Sequence, residues 1–529
     1  MSTIRDDLVF AAYNRAYALV NFNDNIDKQH EFKERTIHAD KSLTKYEKSK
    51  IIEKLTRDYD YHKVLINKGK RRICENCQKE CLATLYCEYC IRNYLETKFS
   101  NWTSGNNNLD DLIQKCQIKS IHPEMLIEWI PYNNLQNIKY LTEEQQLIRY
   151  GTGHVILKKL ENVESANRSW FDEAKSHLTI ANKWPVVVSC YGLTQDPSDE
   201  NYMLVMKKLD TNLREYLQQN HNQLTWNKRI NITNDIIQAL YSIHKENVIH
   251  RDLHSENILY QQYNNRWFIS DLGFCGPVDK PLESIYGNLR YIAPEVIAGK
   301  GYTRASDIYS IAMTMWEVSS GQPPFANYED DYNLAMDIVN GMRPKIISGT
   351  PLKYKELMEQ CWDADPTKRP GIYTIRDKIR EINRLYYQNV TDKNTSIFIK
   401  FLKNFKKTNN LNKLSDLEIL SFYYASSKLS ISKVYQFENL PEPINATEEE
   451  QEAYHSKAYS FNIPENIDDL NKSSDHDNDS TKISSSFKGN SKRLSKAFQK
   501  FYIGSRDNNQ NNYKRETTIK QEIKKQDGF

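Results

Sequence analysis

Two sets of residues in this 529-residue chain could do chemistry. The first is a run of thiols: Cys74-Glu-Asn-Cys77, then nine residues, then Cys87-Glu-Tyr-Cys90. Each Cys-x-x-Cys hook turns two sulfurs toward one point. Two hooks together make a tetrahedral thiolate cage for zinc, with Zn–S bonds of about 2.3 Å. Cys81 lies in the spacer as a spare or alternative ligand. One hook alone would read as coincidence or a redox pair, whereas two this close read as zinc. A closed four-sulfur site offers no open position, so structural Zn2+ without catalysis is expected there. The second set is spread over the middle of the chain. Phosphoryl transfer needs a cation on the phosphates, a carboxylate for a metal, a second metal ligand and a base near the attacking hydroxyl. Lys158, Asp252, Asn257 and Asp271 supply those residue types.

These groups must be positioned by several elements. Residues 1–70 read as a helical packing module with no chemistry of its own: Ile4, Leu8, Ala11, Ala12 and Leu19 fall near one helical face, and Ile51, Ile52, Leu55 and Tyr59 repeat the spacing. Residues 71–118 hold the cysteine cluster. Residues 128–388 alternate apolar strands such as VILKKL and YMLVMKKL with amphipathic helices, one marked by Ile232, Ile236, Ala239, Leu240 and Ile243. Residues 389–529 are rich in Asn, Ser and Lys. Residues 442–480 carry 11 acidic and 2 basic residues and 481–529 carry 12 basic and 4 acidic, so a largely disordered tail is expected. The segment SKRLSKAFQKFYI sets Leu494, Ala497, Phe498 and Phe501 opposite Lys492, Arg493, Lys496 and Lys500, a pattern suited to a weak membrane-surface or partner contact.

Composition removes other classes. With Gly 17, Pro 16 and Cys 9, the chain is neither collagen-like nor a disulfide scaffold. No apolar run is long enough for a transmembrane segment. Asp6 and Asp7 sit where a signal peptide carries positive charge, so an intracellular, cytoplasmic-type location is expected, in keeping with clustered free thiols. A net charge of +3 gives no indication of nucleic acid.

Four motifs in order carry a family resemblance. His250-Arg251-Asp252-Leu253-His254-Ser255-Glu256-Asn257 matches H-R-D-L-x-x-x-N at every fixed position, Asp271-Leu272-Gly273 follows a strand, and Ala293-Pro294-Glu295 comes after it. Val155-Ile156-Leu157-Lys158 precedes Glu173 by the spacing of a strand lysine and its helix partner. The chain resembles eukaryotic protein kinases over about half its length, nearest the tyrosine-kinase-like serine/threonine group. The amino-terminal helices, cysteine ribbon and WTSGN segment ahead of the motifs resemble the expanded kinase families of some fungi. The resemblance implies an α+β fold of two lobes, a small β-rich one and a large helical one. It implies ATP and Mg2+ as reactants and proteins as substrates. Asp252 would be the base, Lys158 the phosphate cation paired with Glu173, and Asn257 and Asp271 the magnesium ligands. Met206 aligns with the gatekeeper and Lys207 to Leu209 with the hinge that meets adenine. Arg369 would pair with Glu295, and Asp307 is a further family mark.

The pattern breaks at the Gly-rich loop. Gly151 and Gly153 are the only glycines between Gly105 and Gly192, and four residues separate Gly153 from Lys158, too few for a strand and its turn. The small lobe is therefore expected to be truncated, with the loop and its flanks deleted. His254 stands where serine/threonine kinases carry a lysine, and Asn288 where they place threonine. The absence of a Pro-x-Lys-Trp pattern favours serine/threonine over tyrosine as acceptor. Two functions follow: a protein kinase impaired by the missing loop, or a pseudokinase or signalling scaffold working through partners. Ser284 and Tyr286 are candidate phosphorylation sites facing Arg251.

Overall fold

Caps and apolar spacing coincide where the amino-terminal residues wind into helices. α1 (Asp6–Leu19), α2 (Ile26–Ala39) and α3 (Lys45–Ile66) enclose Ala16, Ile37 and Leu55. Asn25 caps α2. Thr44 and Glu47 form a reciprocal capping box on α3, which satisfies two of the amide groups a helix start leaves open. The structure, a computed structural model, describes residues 4–141, 144–149, 153–160, 169–277, 285–328, 331–391, 432–437 and 440–456.

A short hairpin follows, β1 (Arg72–Ile73) with β2 (Glu80–Cys81), then α4 (Glu88–Glu96) and α5 (Asn107–Ile118). The WTSGN segment is the start signal of α5: Asn106 caps it, and Thr103 and Ser104 both donate to Asp110 in its first turn. Asp60 of α3 accepts from the Leu85 amide at 2.7 Å, and the Lys63 ammonium donates to Thr84 at 3.0 Å. These bonds tie the cysteine segment to the helices before it.

The small lobe is one sheet in the order β3-β7-β8-β6-β5-β4. Its strands are β3 (Glu128–Trp129), β4 (Leu135–Leu141), β5 (Glu144–Arg149), β6 (Gly153–Lys159), β7 (Cys190–Gln195) and β8 (Tyr202–Lys207). Only the β3–β7 pair is parallel. The expected loss of the loop's flanks is thereby corrected. Leu141 pairs with Glu144 and Leu135 with Arg149, so NIKYL and EQQLIR are the two strands of a hairpin. Their sequence carries no glycine to mark a turn: Gly151 and Gly153 lie beyond the second strand. The sequence leaves two residues, neither of them glycine, between Leu141 and Glu144.

Side chains alternate across a strand. Val155 and Leu157 pack on one face of the sheet with Ile130, Met203 and Val205. Lys158 falls on the other face, toward helix α6 (Trp170–Ala181). There Leu204 and Met206 meet Ala174 and Leu178 of α6, and Leu109 and Ile113 of α5 complete the same cluster.

The large lobe is helical. α7 (Leu213–Asn220), α8 (Trp226–Lys245), α9 (Pro294–Ile297), α10 (Arg304–Ser320), α11 (Asp331–Val339), α12 (Leu352–Cys361) and α13 (Ile372–Thr391) share one apolar core. Residues Ser306 to Ser319 of α10 are all buried, which makes it the central helix. The α+β, two-lobed expectation holds, and α1 to α3 add a helical block whose α1 packs on α13.

Residues 432–456 depart from the expectation of a featureless tail. β15 (Lys433–Tyr435) pairs antiparallel with β14 (Ile285–Gly287), and α14 (Glu448–Ser456) follows. Ile444 donates its amide to Val339 at 3.0 Å, and Gln451 accepts from the Arg343 amide at 3.1 Å. Gly341 has φ +97°, and a Cβ there would lie 2.2 Å from the amide nitrogen of Ala446. The glycine is thus required by the close approach of this segment. The amphipathic stretch around Leu494–Phe501 lies outside the described residues.

Candidate active site and metal centre

A hairpin holds two of the expected residues together. β11 (Ile258–Gln261) and β12 (Arg266–Ile269) begin and end on the pair Ile258 and Ile269, and the Ser270 amide donates to the Asn257 carbonyl at 2.8 Å. Asn257 and Asp271 therefore flank the open end of one hairpin. The loop before it is held from below. Asp307, in the first turn of α10, accepts from the amides of His250 at 2.8 Å and Arg251 at 2.9 Å and from His244 Nε2 at 2.7 Å. Arg251 and Asp271 have φ of 72° and 49°, positions where a non-glycine residue is strained. Such strain concentrates at functional sites.

Lys158 joins the lobes. Its ammonium donates to Asp271 Oδ1 at 2.5 Å and lies 2.8 Å from Glu173 Oε1. Burial alone would lower the lysine's pKa. The Asp271 and Glu173 charges and hydrogen bonds outweigh it and hold the pKa above the usual lysine range. Burial would raise Asp271, but Lys158 and the Gly273 amide pull its carboxyl well below the usual carboxylate range. Both groups are charged at neutral pH. Leu272, standing where the related motif has Phe, is fully buried, and its amide donates to His177 Nε2 at 3.2 Å. His177 was not foreseen; its place four residues after Glu173, one helical turn on, was the available signal.

Asp252 lies at the cleft floor with His254 and Asn257. The Asn257 amide nitrogen donates to the Asp252 carbonyl at 2.9 Å and sits 3.0 Å from His254 Nε2. His254 Nε2 is 3.6 Å from Asp252 Oδ1. Burial pushes the imidazole's pKa down, but the nearby Asp252 charge more than offsets this, and the net shift is upward. Ser432, which the sequence did not single out, donates to Asp252 Oδ1 at 2.9 Å.

Met206 pairs across the sheet with Ile156, at the back of the cleft. The Lys207 amide donates to Ser189 at 2.9 Å and the Lys208 amide to His154 at 3.3 Å. The Leu209 amide makes no hydrogen bond among the described residues. Glu295 and Arg369 form the expected pair, two-pronged at 2.7 and 2.8 Å and buried. Tyr286 is half-buried, and its ring stacks on Phe274 with centroids 3.4 Å apart. Ser284 lies outside the described residues.

The thiols of Cys74, Cys77, Cys87 and Cys90 converge, all within 4.8 Å of one another. Cys74 and Cys90 sulfurs are 3.7 Å apart, as are those of Cys77 and Cys87. A tetrahedron with Zn–S bonds of about 2.3 Å has edges of about 3.8 Å, so the cage matches zinc in size. Amide groups of Cys77 and Asn76 pull the Cys74 thiol down to about 6, whereas burial pushes the Cys90 thiol up to about 12. Cys81 instead is buried, with burial raising its thiol to about 11.

The two-lobed fold and this grouping are similar to those of protein kinase domains. Residues 132–379 match the family model described as protein tyrosine and serine/threonine kinase. Among curated proteins the chain is similar to the dual specificity protein kinase zakA of Dictyostelium discoideum, with 33% identity over 192 residues, 33% of this chain and 25% of the relative. The dual serine/threonine and tyrosine protein kinase of Mus musculus is 31% identical over 184 residues, 34% of this chain and 19% of its own length. A probable LIM domain-containing serine/threonine-protein kinase of Dictyostelium discoideum is 31% identical over 173 residues, 32% of this chain and 26% of the relative. The match thus spans about a quarter or less of each of these three relatives. Among the described residues no helix is long and apolar enough to cross a membrane.

Proposed function

We propose that this chain transfers the terminal phosphate of ATP to serine or threonine hydroxyls of proteins. The observation that carries the reading is the assembled cluster of Lys158 with Glu173 and Asp271, since a cation held by two carboxylates across the lobes is ready to take phosphate oxygens. Lys158 would orient the phosphates. Leu209 would offer its open amide to the purine, with Met206 behind it and Lys207 beginning the hinge. Asp252 would accept the proton of the attacking hydroxyl. Asn257 commits its amide nitrogen to the Asp252 carbonyl, which leaves its oxygen, with the Asp271 carboxylate, as a donor set suited to magnesium. Bound magnesium would neutralise charge building on the phosphates. His254 would stand in part for the usual lysine.

The cysteine cage would hold one structural zinc, and metal analysis should find about one per chain. The serine/threonine preference rests on the absence of the Pro-x-Lys-Trp pattern. The same names among the relatives include dual-specificity kinases, so a tyrosine peptide belongs in the assay. The scaffold reading draws on one observation, that Leu141 pairs with Glu144 and the two residues between them in the sequence include no glycine. The test is peptide phosphorylation by the full chain with magnesium and ATP, with Asp252→Asn as control. Phosphorylation by the wild-type chain alone supports the kinase reading. Activity no higher than that control, with nucleotide still bound, replaces it with the scaffold.

A further inference from the structure

The carboxyl-terminal segment enters the cleft where a protein substrate would lie. β15 adds to the edge of β14 with Tyr435 opposite Ile285, Val434 opposite Tyr286 and Lys433 opposite Gly287. Tyr435 is buried there, and its hydroxyl accepts from the Leu289 amide at 3.4 Å. Lys433 forms an ion pair with Asp331. Gly287 has φ +137°, and a Cβ on it would lie 3.1 Å from Asp252 Oδ1. That glycine keeps the approach to the carboxylate narrow but open. Through it comes Ser432, whose hydroxyl donates to Asp252 Oδ1 at 2.9 Å and lies 3.2 Å from His254 Nε2. A base must stand within about 2.6–3.2 Å of the proton-bearing atom it serves, and Ser432 meets that condition.

We propose that Ser432 is an acceptor hydroxyl of this same site, phosphorylated within its own chain, and that residues 432–437 occupy the protein-substrate strip until then. The proposal rests on the kinase activity proposed above. In the step, Ser432 Oγ bonds to the terminal phosphorus of ATP. The bond from that phosphorus to the bridging oxygen breaks, and ADP leaves with the electron pair. The Ser432 proton passes to Asp252. The product places a phosphate of nearly two negative charges beside a carboxylate, and this repulsion expels the segment. Docked, the segment blocks other substrates; phosphorylated, it clears the strip.

The test uses the full chain. With magnesium and ATP, mass spectrometry should find phosphate on Ser432 in the wild-type chain and none in Asp252→Asn. The rate should be first order and unchanged across a wide range of protein concentration, as transfer within one chain requires. An unrelated serine peptide is assayed alongside. If the peptide is phosphorylated and Ser432 is not, the acceptor role falls and the kinase reading stands. If neither is, both fall. A rate that rises with protein concentration overturns transfer within the chain. A second measurement needs no catalysis. In nucleotide-free protein, Ser432→Glu sets a carboxylate against Asp252, so amide hydrogen exchange at Lys433–Tyr435 should quicken about tenfold or more, while Ser432→Ala stays near wild type. Equal protection in all three proteins would mean that Ser432 does not face Asp252.

Discussion

The floor and the roof of the cleft are built to different standards. The floor is redundantly held: Asp307 binds the His250 and Arg251 amides and His244 of α8, the β11–β12 hairpin sets Asn257 beside Asp271, and Glu295 with Arg369 locks the chain below. The roof is the β4–β5 hairpin, whose sequence between Leu141 and Glu144 has no glycine to lay backbone amides over a phosphate. Positioning of charge supplies much of phosphoryl-transfer catalysis. On the reading proposed above, the comparison teaches that this chain keeps the parts that would move protons and hold cations, and has a short glycine-free connection where the nucleotide would be covered.

Asp252→Asn tests the floor at its centre. Peptide or Ser432 phosphorylation should fall about 10²–10⁴-fold, with nucleotide affinity nearly unchanged. A loss of affinity instead would place Asp252 among the binding groups. Asp307→Ala breaks the floor from beneath. It leaves the buried amides of His250 and Arg251 without their acceptor, at about 1–3 kcal/mol each, so thermal unfolding should shift down by several degrees and activity should fall with it. Unchanged stability would show that the floor does not depend on this carboxylate.

The roof is sharpened by addition. Inserting about six residues of Gly-rich loop between Thr142 and Glu143 should raise ATP affinity by about 1–3 kcal/mol, from charge-assisted bonds to phosphate. Calorimetry reads the change, and no gain would show that cover is not what the roof lacks. The smallest effect concerns α6, which links roof to floor. Its cap Asn182 donates to the Cys116 carbonyl of α5 at 2.9 Å. Asn182→Ala should cost about 1 kcal/mol of stability in a denaturant titration. An equal cost in a chain stripped of metal would separate this contact from the cysteine cage.

The floor was legible in the sequence because its residues lie close together and each motif is local. Asp252 and Asn257 are five residues apart, and Asp271 is read from the strand before it. The four cage cysteines were legible for the same reason. The roof was misread because a hairpin without glycine has no punctuation, and Gly151 with Gly153 drew attention to the wrong connection. Ser432 and β15 were missed for a deeper reason. A three-residue strand has no signal of its own; it exists through pairing with Ile285–Gly287, nearly 150 positions earlier. The aromatic alternation of Tyr435 and Phe437, in a stretch otherwise rich in Asn and Ser, was the one hint.

The wall that α5 makes against α6 has a thermodynamic consequence. Cys87 caps α4 and Cys90 lies on it, α4 packs on α5, and Leu109 and Ile113 of α5 pack with Ala174 and Leu178 beside Glu173. On the proposed reading, metal affinity at the thiols and nucleotide affinity at Lys158 would then be two readings of one free-energy surface. Linkage is reciprocal: whatever factor zinc contributes to ATP binding, ATP contributes to zinc retention. A cage proposed to perform no chemistry would thereby be an equilibrium partner of the residues proposed to do so.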